Sequence, residues 1–272
     1  MKLSDINIRD PFILPYEGVY YMYGTRGADC WQGGSGFDVY TSRDLVAWSD
    51  PIEVYRKTPE DPFDINFWAP EVHLVDGAFY MFASFKPADR ERGTWILRSD
   101  SPTGPFIRWS ASSVTPEDWS SLDGTYWEED GKRYVVFCHE WTQIGDGHVC
   151  ARELSRDLKT AVGNPVTLFK GSDLYLADAG KRDYVTDGPF LVRAGARLLL
   201  LWSSNSDGKY REAVAESDGG VLGPWRQQQR YLFADDGGHG MVFTGFDGVT
   251  YFTMHTPNRT PDERPKIIPI EL

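Results

Sequence analysis

The chain has 272 residues, of which 41% are hydrophobic, 25% charged and 14% aromatic, with a formal charge of −12. That length suits a large folded core, and the negative balance argues against nucleic acid or an anionic membrane surface as a partner. Gly (27) and Pro (17) are abundant, which favours many turns and short strands over long helices.

Three cysteines, Cys30, Cys138 and Cys150, have no metal-type spacing and form no even disulfide set, which fits a reducing compartment. The first residues, MKLSDINIRDPF, contain no apolar leader, and no run is long enough to span a bilayer. A cytoplasmic protein acting on a neutral or cationic ligand is the expectation.

In chain order, one unit recurs five times: an apolar run, a tight Gly turn, then a Tyr/Phe-rich run. It reads DPFILPYEGVYYMYGT from Asp10, APEVHLVDGAFYMFAS from Ala69, DGTYWEEDGKRYVVFC from Asp123, DGPFLVRAGARLLLLW from Asp187 and GMVFTGFDGVTYFTMH from Gly240. The turn glycines Gly18, Gly77, Gly131, Gly195 and Gly248 each lie eight residues after the first residue of their copy. Three of these turns are Asp-Gly, a hairpin signal because Gly tolerates positive φ. In four copies a third strand follows (FDVYTS, TWILRS, VCAREL, EAVAES), then a Ser/Asp-rich turn and another short strand, whereas the fifth ends in KIIPIEL. Five such units predict an all-β fold: a five-bladed β-propeller of four-stranded antiparallel blades around a central channel, formed by residues 1–272 as one domain.

In that fold the five copy starts face one end of the channel. The second strands, ending in YGTR, FASFK, FCHEW, WSSN and MHTPN, return to the same rim. Asp10, Asp123 and Asp187 then converge on one cavity. Like charges held close raise the pKa of at least one member, giving carboxyls in different protonation states. The alternative is that the three aspartates bind a central cation or cap blade starts. Trp31, Trp68 and Trp141 fall at or near this rim, where flat rings can pack on sugar faces.

These motifs resemble glycoside hydrolase family 43, inverting five-bladed-propeller enzymes acting on arabinose- and xylose-containing glycans. The resemblance runs essentially end to end. RDPFIL resembles the general-base motif and implies Asp10 as base; WAPEVH resembles the second-blade motif. LDGTYW resembles the third-blade motif and implies Asp123 as the residue that orients the acid and tunes its pKa. GHGMVF resembles the fifth-blade motif and implies His239 as a ligand of a hard axial cation such as calcium; no organic cofactor is expected. The family usually has Glu-Gly-Pro where this chain has Asp187-Gly188-Pro189. Either Asp187 donates the proton, the favoured reading, or Glu140 in FCHEW does. In an inverting hydrolase the two carboxyls stand about 6.5–9.5 Å apart, leaving room for a water.

Around them, Trp68, Glu71, His139, Glu140, Trp141 and Arg211 are expected to contact substrate, with Arg211 orienting it or holding Asp187. The expected activity is exo-acting release of α-L-arabinofuranosyl or β-D-xylosyl units from oligosaccharides. An endo-acting arabinanase and a non-catalytic carbohydrate-binding propeller are the alternatives.

Overall fold

A computed structural model describes residues 1–28, 30, 31, 33–174 and 183–272. It shows five antiparallel sheets, each formed by consecutive strands. Blade one contains β1 (Ile8–Tyr16), β2 (Val19–Arg26), β3 (Gly36–Ser42) and β4 (Ile52–Arg56). Blade two contains β5 (Phe63–Val75), β6 (Ala78–Pro87), β7 (Gly93–Ser99) and β8 (Ile107–Arg108). Blade three contains β9 (Ser121–Glu129), β10 (Lys132–His139), β11 (His148–Leu154) and β12 (Ala161–Lys170), with one helical turn, α1 (Trp141–Ile144), after β10. Blade four contains β13 (Asp187–Ala194), β14 (Arg197–Ser206), β15 (Lys209–Ser217) and β16 (Trp225–Gln227). Blade five has three strands among the described residues, β17 (Gly238–Thr244), β18 (Thr250–Thr256) and β19 (Arg264–Pro269). The inner strands touch in the order β1, β5, β9, β13, β17 and back to β1, which closes a five-bladed propeller.

Blade stacking explains the continuous apolar runs. A strand clamped between two blades buries both faces, so period-two alternation sends neighbours to opposite cores. In LLLLW, Leu198, Leu200 and Trp202 pack with Val136 and Cys138 of blade three, whereas Leu199 and Leu201 pack with Phe252 and Met254 of blade five. Aromatics fill the junction of blades one and two; the Phe63 and Phe85 rings stack at 3.9 Å, with Trp95 edge-on at 5.0 Å from Phe63. Phe12 of blade one and Phe190 of blade four, which are not neighbouring blades, meet with ring centroids 6.3 Å apart and so close the channel across its axis.

The ring is sealed between its ends by side chains. Arg9 pairs with the fully buried Glu263 at 2.5 Å and donates to Asn258 Oδ1 at 2.7 Å, while Asn7 Nδ2 donates to the carbonyls of Pro261 and Glu263.

Candidate active site

Every inner strand carries a bulge near its start. Pairing with the second strand skips from Arg9 to Phe12, Trp68 to Glu71, Leu122 to Thr125, Asp187 to Phe190 and Gly238 to Met241. The first bulged residue is left-handed in all five blades: Asp10, Ala69, Asp123, Gly188 and His239 have φ between 47° and 58°. Such a bulge normally takes glycine, because a Cβ is strained there. Four of the five are not glycine, so backbone strain is concentrated at one mouth of the channel, as it often is at functional sites.

This register corrects the expectation that Asp187 is equivalent to Asp10 and Asp123. The strained position of blade four belongs to Gly188, and that of blade five to His239 rather than Gly240. Asp187 holds the preceding position, shared with Arg9, Trp68, Leu122 and Gly238. The turns are the cause. In the first three blades the hairpin glycine is the second loop residue, after Glu17, Asp76 and Asp130, with positive φ at both positions, as a type I′ turn requires. In blade four the two-residue loop begins with glycine, Gly195, and Ala196 follows. Counting back from the glycine therefore lands one residue early.

Each strained residue is tied to the blade before it. Thr25 Oγ1 accepts the Ala69 N–H at 2.7 Å, Ser84 Oγ accepts that of Asp123 at 2.8 Å, and Ser203 Oγ accepts that of His239 at 2.7 Å. His255 Nδ1 takes the Asp10 N–H at 3.2 Å. At the same place in blade three stands Cys138, and the Gly188 N–H donates instead to Asp123 Oδ2 at 3.1 Å.

The two registers line one cavity of about 560 Å³, to which Asp10, Asp123, Asp187 and His239 all contribute. His239 Nδ1 lies 3.1 Å from Asp10 Oδ1 and 3.8 Å from Asp123 Oδ2, and Thr25 Oγ1 donates to Asp10 Oδ2 at 2.6 Å. Tyr210 Oη donates to Asp187 Oδ2 at 3.2 Å. Burial opposes charge on Asp10, but His239 and Arg9 outweigh it and hold the carboxyl well below the usual carboxylate range. Burial pushes the Asp123 and Asp187 carboxyls up; neighbouring carboxylates add to the push, and His239 opposes it without prevailing. Burial works against charge on His239, yet Asp10, Asp123 and Asp187 raise it to about 10. One carboxylate held ionised beside two that retain protons more readily is a division suited to acid/base chemistry.

The chain matches Glycosyl hydrolases family 43 over residues 4–268. It belongs to glycoside hydrolase family 43. It is 37% identical to a solved endo-arabinase from Bacteroides thetaiotaomicron, with a TM-score of 0.91 and coverage of 100% of this chain and 97% of that one. It is 21% identical to an extracellular exo-α-(1→5)-L-arabinofuranosidase of Cellvibrio japonicus, covering 93% of this chain and 79% of the relative. Another of that name, from Streptomyces chartreusis, is 26% identical, covering 66% of this chain and 56% of the relative. The cytoplasmic expectation is thereby corrected: the Cellvibrio and Streptomyces relatives are named extracellular, which points to secretion rather than a cytoplasmic location.

Of the other residues expected at the site of this family 43 glycosidase, Trp68, Glu140 and Trp141 line the cavity, together with the half-exposed Trp31. Trp31 and Trp68 meet edge to face at 5.5 Å, with Arg9 over the first ring and Arg92 over the second. Glu140 is ion-paired to Arg92 and accepts from Ser120 Oγ at 3.1 Å. Glu71, His139 and Arg211 are not among the lining residues. Glu71 contacts His73 at 3.1 Å, His139 stacks on Trp119 at 4.1 Å, and Arg211 pairs with Asp207 and lies over Tyr231. Tyr210, one residue earlier on the opposite face of β15, makes the contact to Asp187 that Arg211 was expected to make.

For the axial cation, His239 is the one side chain expected as a ligand, so water would have to supply most of the remaining donors. Among the described residues no group of three or more His, Cys, Asp or Glu side chains is arranged around a common point. His239 Nδ1 is already engaged by two carboxylates. The residues shown form an internal ion pair.

Sequence reasoning passed over Thr25, Tyr210, Glu212 and His255. A signal for two of them was present: Thr25 and His255 occupy equivalent places in the strand endings YGTR and MHTPN.

Proposed function

We propose that this family 43 glycosidase hydrolyses arabinofuranosyl linkages of oligosaccharides with inversion, Asp10 acting as base and Asp187 as acid. The observation that carries the reading is the opposed charge preference of two aspartates in one cavity, Asp10 held ionised and Asp187 pushed towards its protonated form. Asp10 takes a proton from water as the water oxygen bonds to the anomeric carbon. The glycosidic bond breaks with its electron pair going to the leaving oxygen, which receives the Asp187 proton. Asp123 shares His239 with Asp10 and accepts the N–H of Gly188, so it orients the segment that carries Asp187. Glu140 is held by Arg92 on the cavity wall and is not the acid in this scheme.

The similarity to exo-acting arabinofuranosidases and to an endo-arabinase supports an arabinose-containing substrate. Exo action is the preferred reading, because Trp31 Nε1 donates to Thr260 Oγ1 at 2.9 Å and so ties the wall of blade one to that of blade five along the cavity edge. Endo action is the second reading, favoured by the Bacteroides thetaiotaomicron structure. A nitrophenyl glycoside panel (arabinofuranoside, xyloside, galactofuranoside) with the product anomer followed by NMR tests the reaction. Product lengths from linear arabino-oligosaccharides separate exo from endo. Oligosaccharide binding with no release of reducing sugar would instead show a non-catalytic propeller.

A further inference from the structure

The tie that holds Asp10 differs in kind from its counterparts. Thr25, Ser84 and Ser203 accept the next blade's N–H through a hydroxyl, which retains an acceptor lone pair whatever else it does. His255 accepts through an imidazole nitrogen, which can do so only when that nitrogen carries no proton.

Neighbouring groups decide the proton's place. Arg9 Nη2 lies 2.7 Å from the Asn258 side-chain oxygen, and a guanidinium only donates, so the amide cannot be turned the other way. The same oxygen lies 3.1 Å from His255 Nε2, so Nε2 must carry the hydrogen. The ring is fully buried, and burial together with Arg9 pushes it down to about 3, which keeps it neutral. A neutral imidazole has one N–H, so Nδ1 is bare and faces the Asp10 N–H at 3.2 Å. Arg9 is itself fixed by Glu263. Tyr210 stacks on His255 with centroids 5.6 Å apart and planes 19° apart while its hydroxyl holds Asp187.

We propose that His255 is a positioning residue: a neutral Nε2–H imidazole, its tautomer set by Arg9 through Asn258, whose Nδ1 holds the Asp10 backbone in its left-handed conformation. It acts through Asp10, and so rests on the reading of Asp10 as the base.

The test uses the full chain. In histidine-labelled protein, ¹⁵N NMR is expected to show His255 protonated at Nε2 and bare at Nδ1 across about pH 5 to 8. His255→Phe retains a ring against Tyr210 but leaves the Asp10 N–H without an acceptor. Its kcat is expected to fall about 10- to 100-fold with KM changed by less than about threefold. His255→Asn places an amide oxygen near the Nδ1 position and is expected to recover kcat to within about fivefold of the parent. Near-UV circular dichroism checks folding, and if the Phe variant does not fold, the NMR and the Asn variant carry the test. A protonated Nδ1, a folded Phe variant with parental kcat, or an Asn variant as slow as a folded Phe variant would each overturn the proposal. Asp10→Asn separates the two readings: if it stays active, the base assignment fails, whereas if it is inactive and His255→Phe is fully active, only the role of His255 fails.

Discussion

Blade one and blade four each present an aspartate to the same cavity, one residue apart in the register of the same bulge. Asp10 is the strained residue itself, with a Thr25 hydroxyl on one oxygen and His239 at the other. Asp187 precedes the strained residue, which is glycine, and accepts from the Tyr210 phenol. Asp10 is buried and Asp187 is partly buried, so both lose hydration; Asp10 recovers more than it loses from His239 and Arg9, and Asp187 does not. The side chain is the same in the two blades. The shift of one residue decides which carboxyl sits among positive charge, and with it the proposed division into base and acid.

The largest expected effect tests the blade-one half of this contrast. Asp10→Asn should lower kcat/KM about 10³- to 10⁴-fold on every substrate, because no leaving group removes the need to activate water. Asp187→Ala should cost about 10²- to 10³-fold on a natural oligosaccharide yet less than about tenfold on a dinitrophenyl glycoside, whose leaving group needs little protonation. Equal losses on both substrates, or leaving-group rescue in Glu140→Ala instead, would dissolve the contrast. Gly188→Ala tests the backbone: a Cβ there would meet His239 Cγ and Cδ2 at 2.7 Å and the His239 Cα at 3.0 Å, at a residue with φ of 52°. Denaturant titration should show a loss of about 1–3 kcal/mol, with lower activity as His239 is displaced from the carboxylates. Unchanged stability would mean that blade four tolerates the conformation its neighbours adopt.

The smallest expected effect concerns the support beneath His239. Glu212 is fully buried, and its Oε2 accepts from Ser203 Oγ at 2.6 Å and from the Gly240 N–H at 3.2 Å. Burial pushes this carboxyl up to about 8, against the hydrogen bonds that lower it. A raised acid favours the folded state in its neutral form. Its contribution is therefore complete below the ordinary glutamate range, shrinks as pH rises, and is gone above about 8. Glu212→Gln should flatten the fall in unfolding free energy between about pH 5 and 8 while leaving kcat within a few-fold. Parallel pH–stability curves for parent and variant would contradict the assignment.

Much of the fold was legible because its signals are local. Glu17-Gly18, Asp76-Gly77 and Asp130-Gly131 announce their hairpins, and an unbroken run such as LLLLW announces a strand buried on both faces. The meeting of Asp10, Asp123 and Asp187 in one cavity followed from the repeat. The register of blades four and five did not, because the turn glycine changes place between hairpin types. The prolines preserve it better: Pro11, Pro70 and Pro189 are all second bulge residues, and aligning on them puts Gly188 beside Asp10. Arg211 and Tyr210 show the same limit, since neighbouring residues on a strand face opposite ways and an error of one exchanges the buried phenol for a rim guanidinium.

By itself, then, the sequence determined five blades, their order, and an acidic mouth, because hairpin turns and period-two burial are written in stretches of a few residues. Only the tertiary structure decided which aspartate keeps its charge and which histidine stays neutral. Those outcomes depend on groups brought together from the two ends of the chain, such as Arg9 with Asn258 and Asp10 with His239 and His255, and on burial that no short stretch of sequence specifies.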